Sequence, residues 1–156
     1  MGICKARWAA HFGCDASGHQ VCLAHLFRDL NYIHQVHQSN WAQSLKLLFK
    51  ESIALNNKAG YDGLSASPER DKLEQSLKGL LQTGLPNQDK LAITLQKKLC
   101  KISHNILCFL HYNNVPPDNN GSEQAIRNIK VKQKVSGGFR SIEGADGFAV
   151  LRSVIE

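Results

Sequence analysis

Glu123 stands alone as an acid at the head of a strongly basic stretch. No aspartate or glutamate lies between Gln124 and Ile142, while Arg127, Lys130, Lys132, Lys134 and Arg140 all fall in that interval. Arg127, Lys130 and Lys134 recur at helical spacing, and Ile126 and Ile129 take another face. A carboxylate held beside a run of positive charge suits a site that places a divalent metal ion against phosphates. The same residues also have a purely structural use. Asn120 is a favourable helix N-cap, and Glu123 follows three residues later, where a capping box places its acid. Glu123 and Arg127 are also spaced as an i,i+4 ion pair, and a basic run serves equally as a solvated helix face. Each such effect contributes well under about 2 kcal/mol. Spacing alone leaves both uses open.

The elements that must position these residues are legible in outline. Pro116-Pro117 and Asp118-Asn119-Asn120-Gly121 form a stiff entry and turn ahead of the basic helix, and Gly137-Gly138 breaks it before Phe139-Arg140-Ser141. Near the start, Cys14 to Gly18 reads as a turn and His19 to Leu23 as a short buried strand. Ala24 to Val36 continues as a helix with Leu26, Leu30 and Ile33 on its apolar face. Asn40 is expected to cap a second helix carrying Trp41, Leu45, Leu48 and Leu55. Ser67-Pro68-Glu69 supplies a cap, a proline at the first helical position and an acid for a third helix, which buries Leu73, Leu77 and Leu80. Leu91, Leu95, Leu99, Ile102, Ile106 and Phe109 predict one long helix ending near Tyr112.

At 156 residues the chain fits one ordinary domain with a real core. Its 42% hydrophobic and 21% charged residues are those of a soluble globular protein, and its net charge of +6 favours a polyanionic partner. The five cysteines are odd in number and lack disulfide-like spacing, and no secretory signal precedes them. No apolar run approaches the roughly 18 residues of a membrane span. The expected compartment is the cytoplasm, with no membrane partner.

Other groupings are weaker. His19, Cys22 and His25 recur every three residues with Cys14 nearby, ligand types that zinc accepts, but no fourth ligand or paired Cys-x-x-Cys completes a site. Cys100, His104 and Cys108 would share one stripe of a continuous helix, where packing is the commoner role. Neither grouping supplies the third, orienting partner that a Cys–His nucleophile needs. Trp8 and Trp41 read as core anchors rather than base-stacking platforms.

Three motifs together resemble a known family. Pro117-Asp118-Asn119-Asn120 with Glu123 and Ala125-Ile126-Arg127, then Gly137-Gly138-Phe139-Arg140-Ser141, is similar to the C-terminal signature of insertion-sequence 66 family transposases. The tail from Gly144 to Glu156 and the early His19-Gln20-Val21-Cys22-Leu23-Ala24-His25-Leu26 with Arg28-Asp29-Leu30 fit the same pattern in the same order. The resemblance implies an RNase H-like catalytic domain with an Asp-Asp-Glu magnesium site, in which Glu123 is the third acid. It makes Cys22 and His25 a structural Cys-x-x-His, the cysteine packed inside and the histidine orienting the site. With DNA at insertion-sequence ends as the implied partner, the basic run offers Arg127, Lys130, Lys132, Lys134 and Arg140 as candidates for steadying its backbone.

The resemblance also sets an expectation of incompleteness. Its first aspartate falls on a strand ahead of Met1, and Ala6, before Arg7-Trp8, stands where the second belongs. One carboxylate binds magnesium weakly, because the ion keeps its waters unless several oxygens hold it. The expected protein is therefore a transposase fragment, inactive alone: mainly α, an incomplete RNase H-like α/β core with one or two remnant strands and a helical insertion. Residues 1–36 would be the core remnant with the Cys-x-x-His helix, 37–112 the insertion, and 113–156 the core helices carrying Glu123. The alternative is a non-catalytic helical module that binds DNA or associates with itself or a full-length transposase.

Overall fold

The computed structural model describes residues 2–5, 18–59, 67–112, 115–125, 127, 131, 134–135, 137–139 and 141–155. The chain divides into two compact units, Met1–Asn119 and Asn120–Glu156. The described residues are mainly helical, as the spacing of apolar residues led one to expect.

In the first unit, β1 (Gly2–Lys5) and β2 (Gly18–Val21) pair in parallel, with Gly2 opposite Gly18 and Lys5 opposite Val21. Helix α1 (Leu23–His37) follows at once and buries Leu23, Leu26, Leu30 and Ile33, one face of a 3.6-residue repeat. Gln38 ends it in a left-handed conformation, its N–H donating to the His34 carbonyl. Helix α2 (Asn40–Ala59) packs on α1 and on α3 (Pro68–Gln82). Asn40 is the first residue of α2 rather than its cap. The first helical bond runs from the Gln43 N–H to the Ser39 carbonyl.

Trp41 is buried in α2, and its indole N–H donates to the Leu80 carbonyl of α3 at 2.9 Å. The core-anchor reading of Trp41 holds; Trp8 lies outside the described residues. At the start of α3, Pro68 takes the first helical position, but the Ser67 hydroxyl does not cap the helix. It donates instead to the Glu69 carboxylate at 2.5 Å, which with the Glu69 backbone N–H holds that carboxyl below its ordinary range.

The fourth helix departs from expectation. Helix α4 (Lys90–Lys101), capped by the Asp89 carboxylate accepting from the Ala92 N–H, stops well short of Tyr112. Two 3-10 turns follow, Ser103–Asn105 and Cys108–Leu110. The reason is burial on every side. Asn105 to Leu110 are six consecutive buried residues, more than one helix face can hide, and β2 packs directly against both turns.

Gln20 fixes that arrangement. Its side chain is fully buried. The amide nitrogen donates to the Val21 and Ile106 carbonyls, both at 2.7 Å, and the amide oxygen accepts from the Phe109 N–H at 2.8 Å. One side chain therefore satisfies backbone groups in and beside the 3-10 turns that water cannot reach.

In the second unit, α5 (Asn120–Ala125) begins on Asn120, so Glu123 takes the fourth helical position rather than the third after a cap. Arg127, Val131, Lys134 and Val135 are also helical. Gly137 and Gly138 both have positive φ, 71° and 118°, where a side chain would be strained. Phe139 then packs on Phe148 of α6 (Ile142–Ile155), ring centroids 5.4 Å apart. The Ser141 hydroxyl accepts from the Gly144 N–H at 3.1 Å, capping α6. The Gly-Gly-Phe-Arg-Ser motif is thus, in its described residues, a turn, a ring pair and a cap.

Candidate functional site

The parallel strands of the first unit point their carboxyl ends the same way, and in open α/β sheets ligands bind beyond those ends. Cys22 stands at that point, between β2 and α1, with no solvent exposure. The segment that leads into α5 comes to the same place. The Leu23 N–H, an orphan donor at the start of α1, donates to the Pro117 carbonyl at 2.9 Å. The Asn119 N–H donates to the Cys22 sulfur at 3.3 Å, although the two residues are 97 apart in the chain. Asn120, the next residue, opens the helix that carries Glu123. Two of the motifs singled out in the sequence, Cys-x-x-His and Pro-Asp-Asn-Asn, are therefore brought together by one backbone hydrogen bond and one from a backbone N–H to the cysteine sulfur.

The stiff Pro116-Pro117 pair makes this docking less costly, since two fixed φ angles leave less freedom to lose. His25 lies in the first turn of α1, half-buried, one turn beyond Cys22. Replacing Cys22 by alanine is expected to cost about 1–2 kcal/mol, through the lost sulfur packing and the unpaired Asn119 N–H. It is also expected to speed proteolytic cleavage near Asp118 relative to cleavage elsewhere. Limited proteolysis with mass-spectrometric mapping reads this directly. An unchanged cleavage pattern would show that Cys22 does not hold the segment.

The remaining site candidates divide. Arg127 and Lys134 are exposed and helical. Ala6, Cys14, Lys130, Lys132 and Arg140 lie outside the described residues, as does the side chain of Glu123. The stripe of Cys100, His104 and Cys108 does not form, because α4 ends at Lys101. Cys100 donates to the Leu81 carbonyl, and burial pushes the Cys108 thiol up, away from the thiolate a nucleophile needs. Two functional groups of the fold escape a reading of spacing alone. Gln20 gives no signal beyond an amide inside a short apolar run, and Asp89 none beyond a cap placed ahead of Lys90-Leu91.

A family model described as Transposase IS66 family matches residues 10–147. The chain belongs to the IS66 transposase family. The match spans the Cys-x-x-His, the helices that follow it and the Glu123 and Gly-Gly-Phe-Arg-Ser motifs. No curated protein and no solved structure matches the chain. No helix among the described residues is long and apolar enough to cross a membrane.

Membership in the IS66 transposase family implies DNA as a partner and divalent metal as the usual helper of the chemistry. A pair of magnesium ions needs several convergent oxygen ligands. Among the described residues no three His, Cys, Asp or Glu side chains are grouped to hold an ion.

Proposed function

We propose that this chain acts in DNA transposition as the part of an Asp-Asp-Glu type transposase that carries its third acid, Glu123. In this reading residues 1–36 and 113–156 belong to an RNase H-like core, and 37–112 form a helical insertion. The observation that supports it most is the pair of hydrogen bonds from Leu23 to Pro117 and from Asn119 to Cys22. They tie Pro117 and Asn119, just ahead of the Glu123 helix in the chain, to the carboxyl end of a parallel strand, as an RNase H-like core would require.

Arg127, Lys130, Lys132, Lys134 and Arg140 steady the phosphodiester backbone without reading sequence. Cys22 and His25 position the Glu123 segment rather than react. Residues 1–156 by themselves bind DNA and do not cut it. Ala6 occupies the place of the second aspartate, and a methyl group cannot ligate a metal. That same alanine favours the second reading, a non-catalytic module that binds DNA or associates with a complete transposase.

The full chain is expected to bind labelled duplex DNA with little sequence preference. Its affinity should fall steeply as salt rises, with a log–log slope of about −0.9 for each phosphate contact. Fluorescence anisotropy across a salt series tests this. Absent binding, or binding indifferent to salt, would remove the DNA reading.

A further inference from the structure

The first unit has an open groove of about 570 Å³ between α1 and α2, and none of its lining residues is among those named for the proposed site. Its floor is apolar: Phe27 and Ile53, both half-buried, and Ala54. Phe27 is held edge-on against the buried Phe49, ring centroids 6.0 Å apart and planes at 88°, so its orientation is fixed by the core. Lys46 and Lys50 line one wall one helical turn apart, and Asn31 and Asn57 add amides. Asn31 accepts from the Lys46 ammonium at 2.7 Å, which steers that charge over the groove and leaves its other donors for a ligand. The described lining holds two cations and no aspartate or glutamate.

We propose that this groove seats a short single-stranded segment of DNA, as a second contact apart from the basic run of the second unit. The proposal rests on the reading of the chain as a DNA-binding part of a transposase. An unpaired nucleotide offers what the groove complements: a flat apolar base for the Phe27–Ile53–Ala54 floor and phosphates for Lys46 and Lys50. Duplex DNA keeps its bases stacked inside and could satisfy only the lysines. The volume falls in the roughly 300–1,000 Å³ range of ligand clefts. The groove where α1 meets the first helix of the insertion would thus hold a strand that has been separated from its complement.

The test uses the full chain with labelled oligothymidylate and, separately, a duplex. Two variants probe the groove. Lys46→Ala with Lys50→Ala removes the cations, and Ala54→Glu sets an acid on the floor at a position where a helix accepts it. The paired lysine variant is expected to lose about tenfold in single-strand affinity. Its salt slope should flatten by about 1.4, two contacts at about 0.7 each. Ala54→Glu should weaken single-strand binding by a similar factor without changing duplex affinity, the paired lysine variant should cost duplex binding far less than single-strand binding, and neither variant should change the thermal melt. Single-strand affinity unchanged in both variants, while Arg127→Ala with Lys134→Ala weakens duplex binding, would overturn the groove and leave the transposase reading in place. A wild-type chain that binds neither form of DNA would overturn both.

Discussion

Gln20→Leu is expected to lower the melting temperature of the first unit by about 10–20 °C. Leucine fills nearly the same space, so packing changes little. What the substitution removes is the side chain that pairs with the Ile106 carbonyl and the Phe109 N–H, both in a fully buried stretch. Each buried backbone group left without a partner costs about 1–3 kcal/mol, which puts the loss near 3–5 kcal/mol. Set against a domain stability of about 5–15 kcal/mol, this is a large share.

Gln20→Glu makes a sharper control. A carboxylate keeps the acceptor for the Phe109 N–H but puts an oxygen where the amide nitrogen stood, facing the Val21 and Ile106 carbonyls, and should be worse than leucine at neutral pH. Burial raises the acid's folded pKa above its unfolded one, and its protonated form can donate to one carbonyl. Stability should therefore be present at low pH and be lost as pH rises. Thermal melts followed by circular dichroism across pH check both variants. A Gln20→Leu melt within a degree or two of wild type would show that the 3-10 turns are held by packing alone.

The second large effect concerns DNA. Replacing Arg127, Lys130 and Lys134 together by alanine is expected to weaken duplex binding by on the order of a hundredfold near 0.1 M salt, with the log–log slope flatter by about 2.7 for three contacts. Arg127 and Lys134 are exposed, so their truncation leaves no cavity, and the melt should not change. Steady affinity and an unaltered slope in a folded triple variant would remove the basic run from the DNA interface.

How far the sequence could be read depended on whether burial was one-sided. Helices α1, α2 and α3 each bury a single face, and the spacing of Leu26, Leu30 and Ile33, or of Trp41, Leu45 and Leu48, declares that face directly. The stretch from Ile102 to Leu110 does not behave this way. Leu99, Ile102, Ile106 and Phe109 keep helical spacing, but Leu107 and Cys108 fill positions between them and Leu110 follows at once. A continuous apolar run fits a buried helix and an irregular buried segment equally well, and the Gln20 side chain decides between them from outside the run.

The same limit applies to the site. Resemblance placed Cys22 and Glu123 in one family pattern, and family membership followed from a match over residues 10–147. No spacing rule could say that the Cys22 sulfur would take a hydrogen bond from Asn119, because that contact depends on how the intervening helices fold back. The Gly-Gly-Phe-Arg-Ser motif shows the converse. Read as a signature, it marks the family. Read as chemistry, its glycines permit positive φ and its serine caps α6. A motif can identify a family while its own residues do structural work.

The central claim is that these 156 residues hold DNA without cutting it. The measurement that bears on it most directly is Mg²⁺- or Mn²⁺-dependent nicking of labelled duplex DNA by the purified, folded chain, with Glu123→Ala as its control. Binding by both proteins and nicking by neither is the expected result. Nicking by the wild-type chain that disappears in Glu123→Ala would contradict the claim, and would direct the search for further metal ligands to Asp15 and Asp29.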